Sequence, residues 1–206
     1  MNIIDAMKER RSVRTFDGNG LTPAQIAKLE NAIRESTTPF GGNISIKLRK
    51  FNLKEGYKPS TYGMIRGAED FFLLGIAGDE ASALSAGYRF EQVVLRAWEL
   101  GLGTCWIAAT FKGSDFERGT TWPDGEQLKV ICPVGVAEPP ALMEKLIRLT
   151  MGSKKRLPFN DLFFYKDFKT AIPDDNKFPE ALEMMRIAPS STNSQPGRVL
   201  VDSAPA

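Results

Sequence analysis

The feature that most limits how this chain can fold is a nearly unbroken apolar run at residues 71–78. A helix needs about 20 such residues to cross a bilayer, so the run excludes a membrane span at this point. It is typical of a β-strand that is buried on both faces. We therefore expect a globular protein around a buried strand, and 206 residues suffice for one domain or two small ones.

The absence of histidine removes several kinds of chemistry. Imidazole acid–base catalysis, His-dependent nucleophile pairs and His-rich zinc sites are excluded, so no metal site is expected. The two cysteines, Cys105 and Cys132, lack the spacing of a zinc or disulfide framework, and Cys105 is expected to be a small buried hydrophobe. No secretory signal follows Met1, and a reducing cytoplasm fits best.

Local signals predict three elements near the N-terminus. Asn2 can cap a short helix that ends at residues 10–12. Thr22, Pro23 and Gln25 provide the cap, the first-turn proline and the capping box of a second helix. Residues 44–48 alternate between apolar and polar, which predicts a strand with one buried face.

The longest helix is predicted at residues 81–100, and two glycines after it end it. Its expected core stripe consists of Leu84, Tyr88, Leu95, Trp98 and Leu102. Its charged residues are expected to be surface or interface charges: Arg89, Glu91, Arg96 and Glu99.

Two further elements are predicted after this helix. Residues 129–136 indicate a strand, in which Pro133 favours an edge position or a bulge. Residues 141–150 indicate another helix.

A diverged internal repeat determines the predicted domain organisation. Residues 22–48 and 178–201 both follow the order helix, loop, strand. We interpret them as copies of one unit, which predicts an α+β fold with two related halves. The first half-unit spans residues 1–160, an extended linker spans 161–177, and a shortened second half-unit spans 178–206.

Basic residues are concentrated in two places, although the net charge is only +2. In residues 10–14, Arg10, Arg11, Ser12 and Arg14 bring guanidinium groups and a hydroxyl close enough to bind a phosphate. Lys154 and Arg156 belong to the second cluster. The alternative for both clusters is a solvated run of charges.

Two further segments have the composition of a binding site. Pro189, Ser190, Ser191, Asn193 and Gln195 form a polar loop whose amides could bind the edge of a flat heterocycle. The alternative is a turn whose side chains satisfy its own backbone. The backbone amides in residues 103–106 could face a ring, or this segment could be a helix stop followed by core residues.

Four segments together resemble the nitroreductase family of flavin enzymes. They are residues 10–16 (Arg-Arg-Ser-Val-Arg-Thr-Phe), 101–106 (Gly-Leu-Gly-Thr-Cys-Trp), 154–158 (Lys-Lys-Arg-Leu-Pro) and 188–196 (Ala-Pro-Ser-Ser-Thr-Asn-Ser-Gln-Pro). In ordinary members the Ser-Ser-x-Asn-x-Gln-Pro loop follows the first helix, whereas here it lies near the C-terminus. That order resembles the tandem branch, in which one chain holds two half-units and mimics the usual dimer.

The resemblance implies a central, mostly antiparallel sheet flanked by helices, with one FMN site shared between the halves. The implied function is an FMN-dependent NAD(P)H oxidoreductase that reduces nitroaromatics, quinones or similar acceptors. No side chain need be catalytic, because the flavin carries the hydride chemistry. The residues implied to bind FMN are Arg10, Arg11, Ser12, Arg14, Gly103, Thr104, Lys154, Arg156, Pro189, Ser190, Ser191, Asn193 and Gln195.

The implied partners are a small-molecule electron acceptor and NADH or NADPH as donor, with neither nucleic acid nor membrane. The assembly is either a pseudo-dimer within one chain or a homodimer. Two other function classes compete with this one. The first is a flavin-binding protein of the same fold without efficient turnover. The second is a nucleic-acid module, which the chain disfavours because it has no recognisable motif and no basic domain charge.

Overall fold

The computed structural model describes residues 2–52, 57–150, 152, 155–173 and 178–201. They divide into two compact units, Arg10–Glu144 and the described parts of residues 1–9 and 145–206. The helices are α1 (Ile3–Glu9), α2 (Pro23–Glu35), α3 (Glu80–Glu99), α4 (Gly113–Glu117), α5 (Leu142–Thr150) and α6 (Pro179–Ile187). The strands are β1 (Ile44–Lys50), β2 (Asp70–Ala77), β3 (Gly103–Thr104), β4 (Glu126–Gly135), β5 (Phe163–Tyr165) and β6 (Val199–Val201).

The larger unit, Arg10–Glu144, is organised around a four-stranded antiparallel sheet in the order β1-β2-β4-β3. β2 is buried along nearly its whole length, as its apolar sequence predicts. Alternate side chains of β2 enter two different cores: Phe72 and Leu74 pack with α2 and α3, whereas Phe71 and Leu73 pack on the opposite face. The α+β fold with a mostly antiparallel sheet flanked by helices is therefore confirmed.

Helix α2 begins as the sequence predicts. The Thr22 hydroxyl accepts from the Gln25 amide at 3.3 Å, and the Gln25 side chain accepts from the Thr22 amide at 2.9 Å. This capping box satisfies two amides that the first turn would leave unbonded. Leu29 is buried, and Ile26 and Ile33 pack beside the same core, which attaches α2 to the sheet.

The predicted core stripe of α3 is partly wrong. Leu84 and Tyr88 are 49% and 51% exposed, while Leu95 and Leu102 are buried as expected. The buried face consists of Ser82, Ser85, Ala86, Phe90, Val93, Val94, Leu95 and Ala97. Small residues occupy its first two turns because α3 lies close to the loop before β1, where the Asn43 amide donates to the Ser82 hydroxyl at 2.8 Å.

Pro133 does not lie on an edge strand, because β4 is bordered by β2 and β3. The bulge in this pairing is in β4: Leu74 and Gly75 of β2 lie opposite Val130 and Leu128, so Lys129 is the extra residue, four positions before Pro133. Ile131 exchanges both backbone hydrogen bonds with Ile107, so the ring nitrogen of Pro133, two residues on, faces the same side of β4. β3 has already ended there, and the missing N–H of Pro133 therefore interrupts no regular strand.

The smaller unit contains α1, α6 and the parallel pair β5–β6. α1 packs against α6, and a separate small core contains Leu162, Phe163, Ile172 and Leu182. Residues 161–177, which we expected to be an extended linker, thus contribute a strand and three of these buried side chains in their described part. The division into half-units at residues 160 and 178 stays a prediction.

Candidate functional site

Two segments that the sequence singled out lie side by side in the larger unit. Ser12 and Thr104 form a parallel β-bridge, and the Val13 amide donates to the Thr104 carbonyl at 2.8 Å. Gly103 makes this approach possible, since a Cβ there would lie 2.7 Å from the Val13 side chain. The structure therefore brings residues 10–14 against residues 103–106, as the combined motifs predict.

Three polar residues of the segment 10–14 lie in the surroundings of the buried thiol of Cys105. Burial raises the pKa of this thiol, while the Arg14 charge, a hydrogen bond with Ser12 and the Arg10 charge oppose that rise. The three residues therefore lie within the range over which their charges and hydrogen bonds act on one sulfur atom. Two guanidinium groups and a hydroxyl in one place are the donor set that a phosphate binds.

Arg10 and Arg11 have different surroundings. The Arg10 side chain is only 8% exposed, and its Nε lies 3.4 Å from Oε1 of Glu91 on α3. Arg11 is exposed, and its guanidinium lies 5.8 Å from the centre of the Trp98 ring. Both side chains are thus directed at α3, and which of Arg10, Arg11 and Arg14 bind an anion stays a prediction.

Gly103 and Thr104 are buried. The Thr104 hydroxyl is buried without a hydrogen-bond partner among the described residues. Since a buried polar atom without a partner destabilises a fold, it marks a place where a ligand or water could complete the bonding. Thr104 therefore qualifies for the site through its side chain as well as its backbone.

In the smaller unit, the second basic cluster and the polar loop form one hydrogen-bonded group. Arg156 Nη1 donates to Asn193 Oδ1 at 2.7 Å, and the Leu157 amide donates to Gln195 Oε1 at 2.9 Å. Asn193 Nδ2 donates to the carbonyls of Gly152 and Lys155 at 3.0 and 3.1 Å. These amides thus bond mainly to Gly152, Lys155 and Leu157 outside their own loop, which differs from the alternative of a turn that satisfies its own backbone.

The polar loop also has an unusual backbone. Thr192, Asn193 and Gln195 adopt φ values of 51°, 57° and 49°. Left-handed geometry is ordinary for Asn but costly for a β-branched residue such as Thr192. The Ser190 hydroxyl accepts from the Gln195 amide at 2.9 Å and closes the loop. Pro189 and Ser191 are exposed, and Lys154 lies outside the described residues.

Sequence reasoning missed the roles of two carboxylates of the larger unit, Glu91, which is 27% exposed, and Glu144, which is buried. Glu91 was expected to be a surface or interface charge, but it meets Arg10 and accepts from Trp106 Nε1 at 2.9 Å. Helical spacing does not single it out, because the exposed Leu84 and Tyr88 have helical spacing as well. Glu144 accepts from the Thr15 hydroxyl at 2.8 Å across 129 positions, and no local signal predicts such a pair.

The described residues contain no group of three or more metal-binding side chains. None of the helices in the described ranges is both long and apolar enough to span a membrane.

Comparison with known proteins identifies the family. A family model described as "Putative TM nitroreductase" matches residues 2–204. The chain therefore belongs to the nitroreductase family. A search of curated proteins found no match.

Solved structures share the fold at low identity. A Thermotoga maritima protein described as a "putative nitroreductase" has a TM-score of 0.59 at 19% identity, over 98% of this chain and 72% of that one. An FMN-dependent nitroreductase of Clostridium difficile R20291 has a TM-score of 0.55 at 17% identity, over 67% and 89%. A Bacteroides fragilis nitroreductase with bound FMN has a TM-score of 0.54 at 14% identity, over 69% and 91%.

Proposed function

We propose that this chain is an FMN-dependent NAD(P)H oxidoreductase that passes electrons to nitroaromatic, quinone or similar acceptors. The observation that carries the proposal is the convergence of Arg10, Ser12 and Arg14 beside residues 103–106 in a chain of the nitroreductase family. The donor set suits a phosphate-bearing cofactor, and the unpartnered Thr104 hydroxyl offers it a further polar contact.

The roles of this chain's residues are binding and orientation. Arg10 and Arg14 would bind the phosphate and ribityl end of FMN through charge-assisted hydrogen bonds, and Ser12 would add a hydroxyl. When bound, FMN supplies the hydride and electron-transfer chemistry, so no side chain need exchange electrons. Gly103 and Thr104 would set the position of the ring.

For the smaller unit we propose weaker roles. Arg156 would contribute charge, and Lys154 is proposed beside it from the sequence alone. Asn193 and Gln195 already use their amides to hold residues 152–157, so any contact with FMN would use their remaining bonding capacity. Ser190 and Ser191 stay candidates on the family's motif.

Part of the proposal rests on the sequence. The tandem arrangement, the use of NADH or NADPH as donor and the cytoplasmic location are proposed on that ground. Three apolar side chains of the larger unit are exposed: Phe40, Leu84 and Tyr88. The rings of Phe40 and Tyr88 pack edge to face with their centres 5.7 Å apart. We also propose that these side chains contribute to pseudo-dimer or homodimer packing. Light scattering of a Leu84→Lys variant tests this packing.

The second candidate function is a flavin-binding protein without efficient turnover. It is favoured by the internal satisfaction of the Asn193 and Gln195 amides, which leaves the polar loop less free to serve a reacting ring. Steady-state oxidation of NADH and NADPH with an added quinone separates the two. Continued oxidation supports the enzyme, and tight FMN binding without oxidation supports the alternative.

A further inference from the structure

We propose that Glu91 is a positioning residue, which fixes the guanidinium of Arg10 and the indole of Trp106 so that Arg10 meets the FMN phosphate in a preset orientation. This inference rests on the proposed function, because it assigns Arg10 to the phosphate. Glu91 would touch neither the cofactor nor the substrate.

The geometry uses both oxygens of the Glu91 carboxylate. Oε1 lies 3.4 Å from Arg10 Nε, and Oε2 accepts from Trp106 Nε1 at 2.9 Å. Arg10 and Trp106 belong to the two segments that the β-bridge joins, so one side chain of α3 is connected to both. Only a carboxylate can accept from two such donors with separate oxygens, because an amide has one acceptor oxygen and a donating NH2 group.

Because Arg10 faces Glu91 through Nε, only some of its N–H donors are available to a ligand. A guanidinium has five N–H donors in a rigid planar fork. With Nε directed at Glu91, the two Nη groups are the part of the fork that can reach an anion. Since the Arg10 side chain is 8% exposed, little rotational freedom is left to lose on binding, and a preorganised donor binds more tightly.

The electrostatics of Glu91 are those of a group at a functional site. Burial raises the pKa of Glu91, and the opposing effects of Arg10 and Trp106 do not cancel that rise. With a folded pKa above the unfolded one, the stability contribution of this group is lost as pH rises through the folded value. Groups with such perturbed pKa values cluster at functional sites.

The experiment compares two ligands that differ by the phosphate. FMN and riboflavin are titrated into the wild-type chain and into Glu91→Gln, with Glu99→Gln as the matched control. Glu99 lies on the same helix and pairs with the exposed Arg96 at 2.6 Å. We expect Glu91→Gln to weaken FMN about tenfold, since one charge-assisted interaction is lost, and to change riboflavin by less than about twofold. Glu99→Gln should match the wild type for both.

A second substitution tests the positioning itself. In Glu91→Gln one amide oxygen replaces two carboxylate oxygens, so Arg10 and Trp106 compete for it. Adding Trp106→Phe removes the indole donor, so that amide oxygen accepts from Arg10 alone. The double variant should recover part of the FMN affinity that Glu91→Gln loses, because the orientation of Arg10 is restored although the charge of the carboxylate is not.

The outcomes separate this inference from the proposed function. A wild-type chain that binds FMN while Glu91→Gln binds it equally well overturns the inference alone. So does an equal loss of FMN and riboflavin affinity, which indicates a general structural defect, or a double variant no better than Glu91→Gln. A wild-type chain that binds neither flavin overturns the proposed function, and this inference with it.

Discussion

Arg156 donates a hydrogen bond to Asn193 at 2.7 Å across 37 positions of the chain. Because the same asparagine donates to the carbonyls of Gly152 and Lys155, one side chain ties the polar loop to the second basic segment. The loop's motif residues are therefore structural within the smaller unit, whatever they contribute to a ligand.

We expect Asn193→Ala to lower the free energy of unfolding by about 1–3 kcal/mol, because it removes the hydrogen bonds of a half-buried side chain to Arg156, Gly152 and Lys155. Asn also tolerates the left-handed φ of 57° better than Ala does. Urea denaturation measures the loss. Ser194→Ala, an exposed neighbour, is the control, and equal stability of the two variants would show that the Asn193 bonds contribute little.

A substitution at Gly103 tests the contact between residues 10–14 and residues 103–106 of the larger unit. Gly103→Ala should destabilise by about 1–3 kcal/mol, since its Cβ would lie 2.7 Å from Val13 in a packed region. Val13→Ala in the same chain removes the two Cγ contacts at 2.7 and 2.8 Å but keeps the Cβ contact at 2.7 Å, so it should restore only part of the loss. Thermal unfolding of the single and double variants checks this. Additive losses would mean that the two side chains do not compete for space.

Cys105 should be inert. Its thiol is 2% exposed, and burial raises its pKa, which disfavours the reactive thiolate. We expect slow labelling by a thiol reagent in the native state and rapid labelling in urea. Cys105→Ala should keep FMN binding and NAD(P)H oxidation at some cost in stability. Loss of oxidation in a folded, FMN-loaded variant would assign the thiol a role in turnover.

The contributions of Asp70 and Asp79 to folding stability should change with pH in opposite directions. Burial raises the pKa of Asp70 above its ordinary value of 3.8, although the Leu21 amide donates to it at 2.7 Å. Its contribution to stability is therefore largest at low pH and is lost as pH rises through the folded pKa. Asp70→Asn should thus gain stability relative to the wild type as pH rises from about 3 to about 7.

The contribution of Asp79, the N-cap residue of α3, changes with pH in the opposite direction. Hydrogen bonds from Ser82 lower its pKa, so its contribution is present above pH 3.8 and is lost as pH falls through the folded value. Asp79→Asn should therefore lose stability relative to the wild type at neutral pH and approach it in acid. Denaturation at a series of pH values measures the stability of Asp70→Asn and of Asp79→Asn relative to the wild type. Parallel pH profiles for the two variants would contradict the opposite directions of the two pKa shifts.

The two basic groups can be compared by their effect on FMN. Arg14→Ala and Arg156→Ala should each weaken FMN binding, and the difference from the wild type should shrink as salt rises, because salt already screens the attraction that the substitution removes. Lys129→Ala, outside both clusters, is the control. Flavin titration at two ionic strengths decides the matter. Unchanged FMN affinity in both arginine variants would remove both clusters from the site.

Local signals predicted much of the fold. The capping box at Thr22 and the buried run in β2 depend on neighbouring residues alone, and both are confirmed. The inner face of α3 could not be predicted in the same way. Leu84 and Tyr88 have helical spacing too, while Ser82 and Ala86 carry no strong hydrophobic signal although they are buried.

The candidate site depended on information of two kinds. Spacing alone left residues 10–14 as a solvated run of charges, and only the resemblance to a family linked them with Gly103 and Thr104. The partner of Arg10 could not be predicted, because Glu91 reaches it through tertiary packing that no sequence pattern reports. Short strands such as β5 were not predicted, because three residues are too few to show the alternation of apolar and polar residues that marks a strand.

The most direct test of the central claim is to identify and quantify the flavin held by the purified chain, before and after incubation with excess FMN. The account predicts that acid denaturation releases FMN, which the native chain has retained through gel filtration at moderate salt. A chain that holds no flavin even after incubation, or that retains riboflavin as tightly as FMN, would contradict a phosphate-binding site at Arg10, Ser12 and Arg14.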